Sequence, residues 1–153
     1  MGLDMYLERK RYLSKEQRKK LKCEGLDVSK VNELIEDVMY WRKANAIHKW
    51  FVDNVQDGTD DCKEYWVDPE KLKELYDIVC EVLEAKVKPG KLTMVKGHEV
   101  AESKLPTTQG CFFGTEEYDE YYYQDLENTK KGLEELFSDE NWGRFDYYYQ
   151  SSW

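Results

Sequence analysis

Leu3, Met5 and Leu7 alternate with Asp4, Tyr6 and Glu8, the period of a strand with one buried face. Ser14 opens SKEQRKKLK, a basic stretch suited to a helical turn or a solvated loop, and Gly25 breaks the chain after it. From a cap at Asp27 or Ser29 to about Val55 there is no Gly or Pro, and Val31, Leu34, Ile35, Val38 and Met39 form one stripe at helical spacing. This spacing predicts a long helix over 29–55. Continued along the same line, the stripe meets Arg42, Asn45 and Lys49, while Tyr40, Ile47 and Phe51 carry apolar character to the opposite side. The second half of such a helix is either buried on several faces or lends a polar wall to a pocket.

Gly58 and the acidic DGTDD mark a turn, and Tyr65-Trp66-Val67 reads as a short strand. Asp68 then caps a second helix with Pro69 at its first position and Glu70 in its first turn; Leu72, Leu75, Tyr76, Val79, Val82 and Leu83 give its buried stripe, and Pro89-Gly90 stops it. Residues 88–110, with three Gly and two Pro, read as a loop excursion. Cys111-Phe112-Phe113, between Gly110 and Gly114, reads as a buried strand, and a third helix is expected from Thr115 to about Ser138, with Gly132 as its weak point. Phe145, Tyr147 and Tyr149 alternate with Asp146, Tyr148 and Gln150, a closing strand over Arg144–Trp153. Three main helices with strands at the beginning, middle and end argue an α+β fold: one compact domain over 1–153, with helices packed on a small, at least partly antiparallel sheet.

Composition narrows the functional classes. The 153 residues carry a net charge of −9 and 14% aromatic residues, too aromatic for a disordered chain and too acidic to coat a phosphate backbone. The charge is graded: residues 1–50 hold twelve Lys/Arg against eight Asp/Glu, whereas 111–153 hold three against eleven. Either the two ends pack together, or one offers a basic patch and the other an acidic face. No apolar run approaches the ~18 residues of a membrane span, MGLDMYLERK is not a secretory leader, and four scattered cysteines read as reduced thiols. A cytoplasmic protein without membrane attachment is expected.

Metal, nucleophile and phosphate-loop signatures are missing: His48 and His98 lack ligand partners at helical spacing, no G-x-S-x-G elbow occurs, and GKLTMVKG lacks the P-loop spacing. No cofactor is expected. The informative stretch is Trp41–Phe51. On a helix, Arg42, Asn45 and Lys49 share one side with Trp41 and His48 flanking it, and Thr107, Thr108 and Phe112 are candidates to close the site. Guanidinium and ammonium suit phosphate, Asn a base or ribose edge, and Trp a stacking plane. The same spacing is also explained by Trp41, Trp50 and Phe51 as core aromatics, with Arg42 and Lys49 paired to the acidic C-terminal third. Tyr118, Asp119, Glu120 and Tyr122, with Tyr121 and Tyr123 beside them, form a second candidate, an acidic, Tyr-rich surface for a protein partner; tyrosines at this spacing are otherwise half-buried core.

The segments MGLDMYL, YWRKANAIHKWFVDNVQ, LPTTQGCFFG, YDEYYYQDL and YYYQSSW carry a resemblance spanning essentially the whole chain. They resemble a family of small, uncharacterised proteins encoded by bacteriophages, prophages and the gut and soil bacteria that carry them. In many members another apolar residue stands in place of Cys111, which weakens a catalytic role for that thiol. The resemblance implies action inside a bacterial host, more by binding than by catalysis. One expectation is a counter-defence protein sequestering a nucleotide-derived signal or similar anionic small ligand. The alternative is an inhibitor of a host defence protein, a nucleic-acid mimic using the acidic Tyr-rich segment. A small hydrolase acting on a nucleotide comes third, and a homo-oligomer with a pocket shared between protomers stays open.

Overall fold

The computed structural model describes residues 2–86 and 96–153. Its centre is one antiparallel sheet in the order β2-β1-β4-β3, built from β1 (Asp4–Tyr12), β2 (Glu33–Arg42), β3 (Tyr65–Val67) and β4 (Asp146–Ser152). The helices are α1 (Lys15–Lys20), α2 (Asn45–Asn54), α3 (Pro69–Ala85), α4 (Lys96–Lys104) and α5 (Glu120–Phe137). The fold is α+β, as the order of elements implied, and no helix among the described residues is long and apolar enough to cross a membrane.

The first and last strands form where alternation predicts them, side by side at the middle of the sheet. Met5 and Leu7 face Ser151 and Tyr149 on the inner side, all buried. Asp68 caps α3 through the Glu70 amide with Pro69 in the first turn, and Ser14 and Gln17 form a reciprocal capping box on α1. Helices α3 and α5 lay Leu72, Leu75, Val79 and Val82 and Leu126, Leu133 and Leu136 into the core. Helix α2 adds Ile47, Trp50 and Phe51, the last stacked on Tyr149 at 3.9 Å between ring centroids.

The long helix expected over 29–55 does not exist. Residues 33–42 are a strand, and only 45–54 are helical. Its cause is a β-bulge. Leu7 faces Met39 and Glu8 faces Asp37, so Val38 is an extra residue without a partner. Inward positions are therefore Trp41 and Met39 on one side of the bulge but Glu36 and Leu34 on the other. A one-residue slip erases the period of two and leaves apolar residues at spacings that imitate a helical stripe.

Other differences are local. Cys111 and Phe112 lie in a turn rather than a strand, and only Phe113 of the three is buried. Helix α5 starts at Glu120 rather than Thr115, because Asp119 supplies the cap through the Tyr122 amide at 3.0 Å. Of the excursion over 88–110, part is helix α4; residues 87–95, including the Pro89-Gly90 stop, lie outside the described residues, and α3 ends at Ala85. Gly132 is a point of close approach: a Cβ there would stand 2.5 Å from Cε of Met39 on β2.

One buried hydrogen bond ties the sheet to α5. The Trp41 indole N–H donates to Thr129 Oγ1 at 2.8 Å, and that hydroxyl donates to the Asp125 carbonyl at 2.7 Å. Thr129→Val keeps the shape but strands the indole N–H, so the midpoint of urea unfolding should fall by the equivalent of about 1–3 kcal/mol, whereas Thr129→Ser should retain most of the stability.

Candidate functional site

The sheet passes into α2 through three residues, Arg42-Lys43-Ala44. Lys43 adopts a left-handed backbone (φ 59°), held by its amide donating to the Leu3 carbonyl at 2.8 Å. A non-glycine residue there carries about 1 kcal/mol of strain or more. Helix α2 then begins with no side chain capping it. Its Asn45 and His48 amides bond to Lys43 and Ala44 carbonyls, while the Ala46 and Ile47 amides take no partner among the described residues.

Asn45 is turned to a different task. Its amide nitrogen donates to the carbonyls of Phe113 (3.2 Å) and Thr115 (2.8 Å), and its oxygen accepts the Thr108 N–H (3.1 Å). This clamp folds the 107–115 segment back against the start of α2. Gly114 completes the fit with φ +93° and room for a Cβ only at 3.3 Å from Lys43 Cβ, so a side chain is disfavoured both by backbone and by space. Thr107 closes the far end, its hydroxyl donating to the Glu116 carbonyl at 2.9 Å.

Between this loop, the start of α2 and the first turns of α5 lies a cavity of about 240 Å³. One side carries Arg42, Lys43 and the uncapped α2 terminus; the other carries Glu117, Asp119 and Asp125, with Tyr121 and Tyr122 beside them. Lys43 makes no ion pair among the described residues, and Arg42 meets only Asp4, at 4.0 Å. The opposed charges therefore stand apart across the space rather than neutralising one another. Burial, reinforced by the neighbouring Asp119 charge, pushes the Asp125 carboxyl up to about 6. Burial likewise raises the Tyr122 hydroxyl far above its ordinary value, and it donates to the Leu105 carbonyl at 2.8 Å.

The residues expected from sequence are distributed as follows. Arg42, Asn45 and Thr107 line the cavity, and Thr108 joins the clamp through its backbone. Arg42 does so from the end of β2, not from a helical face shared with Asn45 and Lys49. Trp41 is buried with its indole N–H committed to Thr129, so it offers no stacking plane. Lys49 pairs with Asp53 one turn along α2 at 2.7 Å, and Phe112 is 58% exposed at the loop tip, outside the cavity lining. Of the second group, Asp119 and Tyr122 line the same cavity, Tyr118 packs on Tyr122 at 4.9 Å, and Glu120 is exposed. Lys43, Gly114, Glu117 and Asp125 were missed. Lys43 and Gly114 carry no signature in a single sequence, but an Asp one and a half turns into an aromatic helix signals a carboxylate near the core.

His48 is 1% exposed and belongs to the interior. The Tyr149 hydroxyl, held protonated by its burial and by the nearby Asp60 charge, donates to His48 Nδ1 at 2.7 Å. That leaves His48 Nε2–H to donate to Asp60 at 2.9 Å, and the other Asp60 oxygen accepts the Trp153 indole N–H at 3.0 Å. This chain of bonds pins α2 and the DGTDD turn to the end of β4.

Two outcomes test this geometry. Asn45→Asp places an oxygen against the Phe113 and Thr115 carbonyls, so stability should drop by about 2–3 kcal/mol, with faster amide exchange over 107–115. For Asp125, a native pKa near 6 against ~3.9 unfolded means that the native state binds the extra proton between those values, so stability falls as pH rises from about 4 to about 6. Urea titrations across this window should show that decline, and Asp125→Asn should remove it. No known family model, curated protein or solved structure matches this chain, which leaves the cavity's own chemistry as the guide to its role.

Proposed function

We propose that the protein is a non-catalytic binding protein for a small anionic, nucleotide-like ligand, held in the cavity between α2 and α5. The observation that carries this reading is the separation of charge across that cavity: Arg42, Lys43 and two partnerless α2 amides on one side, three carboxylates on the other. A phosphate or carboxylate suits the first side, where cations and helix N–H groups converge. Amine, hydroxyl or base N–H donors suit the second. Tyr121, 78% exposed beside the cavity, supplies an aromatic face for a base or ring. At about 240 Å³ the space lies below the ~300–1,000 Å³ of typical ligand sites, which favours a mononucleotide-sized group with the remainder at the mouth.

Together with the resemblance to phage-encoded proteins, this supports sequestration of a nucleotide-derived signal in the bacterial cytoplasm as a counter-defence activity. The protein-inhibitor reading loses support, because Tyr122 faces inward and Asp119 is occupied as a helix cap. Hydrolysis of the bound ligand is favoured by one feature, the Asp125 carboxyl near 6, a value suited to proton transfer. Mass spectrometry of the ligand after incubation separates the two; recovery of the intact molecule supports binding alone.

Thermal unfolding in the presence of nucleoside monophosphates, ADP-ribose and cyclic dinucleotides tests the proposal. A ligand at a hundredfold its Kd adds about 2.7 kcal/mol and should raise Tm by roughly 5–10 °C. Lys43→Gly relieves the left-handed backbone, so this variant should be at least as stable as the parent yet show less than half of the ligand-induced rise. Absence of stabilisation by every anionic ligand at millimolar concentration rejects the proposal.

A further inference from the structure

The sheet has a second face. Positions opposite to the buried Met5, Leu7, Tyr147 and Tyr149 point away from the core, and they are aromatic as well as charged. Tyr40 is 55% exposed, Trp66 51%, and Tyr6 and Tyr12 also reach solvent. On the same side stand the carboxylates Asp4, Glu8, Glu33, Asp37 and Asp146 against two cations, Lys10 and Arg42. Lys10 is already held by Glu64, and Arg42 faces Asp4. The face is therefore net anionic, repels nucleic acid and a second copy of itself, and attracts cations.

At the bulge this face is shaped. Tyr6, Asp37, Val38, Met39 and Tyr40 line a shallow depression of about 280 Å³. The Tyr6 and Tyr40 rings stand 5.4 Å apart between centroids, inclined at 45°, and the Tyr40 hydroxyl donates to Asp4. Asp37 makes no ion pair among the described residues, and the bulge is what brings it to this side, since without Val38 as an extra residue Asp37 would face inward. Two aromatic faces beside a free carboxylate make a site for an ammonium or guanidinium group. The same sheet face already shows this chemistry intramolecularly: Lys10 Nζ lies 4.0 Å above the Tyr148 ring.

We infer that the outer face of the sheet is a docking surface for a basic polypeptide segment of a partner protein, with one Lys or Arg side chain lying over the Tyr6–Tyr40 pair beside Asp37. The occupant follows from charge complementarity and from the aromatic pair, which a purely acidic patch would not need. This surface is separate from the cavity between α2 and α5 and takes the opposite charge.

The probe is a synthetic octapeptide alternating arginine and serine, titrated into the ¹⁵N-labelled full chain and followed by amide shifts at low and high salt. The expected result is saturable movement of the Tyr6, Asp37 and Tyr40 amides that weakens with salt, and an affinity reduced about fivefold or more in both Tyr40→Leu and Asp37→Asn. Exposed Glu127→Gln on α5 should leave affinity unchanged, and the matching glutamate-serine peptide should not bind. Three results overturn the inference: no movement on this face at millimolar peptide, affinity unchanged from the parent in both variants, or shifts centred on Glu117, Asp119 and Asp125 instead. Concentration-dependent shifts of this face and of Lys15–Lys20 without peptide overturn it in favour of a second copy of the chain, whose basic α1 then fills the site.

Discussion

The amide of Asn45 makes three hydrogen bonds to a segment more than sixty residues further along the chain, and the cavity depends on them. Residues 107–115 contain no helix or strand, so nothing in their own backbone fixes their path. An amide side chain suits this task because it donates twice and accepts once at a single buried point, where an unpaired loop carbonyl would be costly. Helix α2 has no side-chain cap because Ala44, at the cap position, carries no polar side chain. The Ala46 and Ile47 amides are therefore left open, and both residues line the space that the loop encloses. The Asn45 clamp sets the loop, and the uncapped Ala44 beside it leaves the amides that face the enclosed space.

Much of the frame was legible in the sequence. β1, β3, β4 and α3 follow from alternation, a capping Asp, and Pro at a helix start, all local signals that the tertiary structure did not override. β2 was illegible for a specific reason: its partner strand creates the bulge, and the bulge scrambles the two-residue period that would have revealed it. The same error placed Arg42, Asn45 and Lys49 on one helical face. Arg42 and Asn45 do meet at the cavity, but across a strand-to-helix junction whose left-handed Lys43 carries no glycine signal. The carboxylate wall was hidden for a different reason: Asp125 and Asp119 gain their meaning only once α5 is packed against α2.

The charge gradient along the chain also resolves into places. Among the described residues, one ion pair joins the basic first third to the acidic last third, Arg9 with Asp139 at 2.9 Å, while Arg9 also holds Glu36 at 2.6 Å and lies over the Phe145 ring. Arg42 and Lys49 find partners outside the acidic last third, Asp4 and Asp53. The two ends of the chain are thus joined by β1–β4 pairing far more than by charge. Most of the acidic surplus stays at the surface, and part of the basic surplus stays at the cavity edge.

In the proposed reading, the α2 terminus, Arg42 and Lys43 form the anion-binding side of a cavity held open by Asn45. Amide chemical shifts during titration with a nucleoside monophosphate report on it residue by residue. The Ala46 and Ile47 amides should move most, in a saturable manner, and Asn45→Ala should abolish the movement while the sheet resonances stay in place. Unmoved Ala46 and Ile47 amides, with binding located elsewhere or absent, would contradict it.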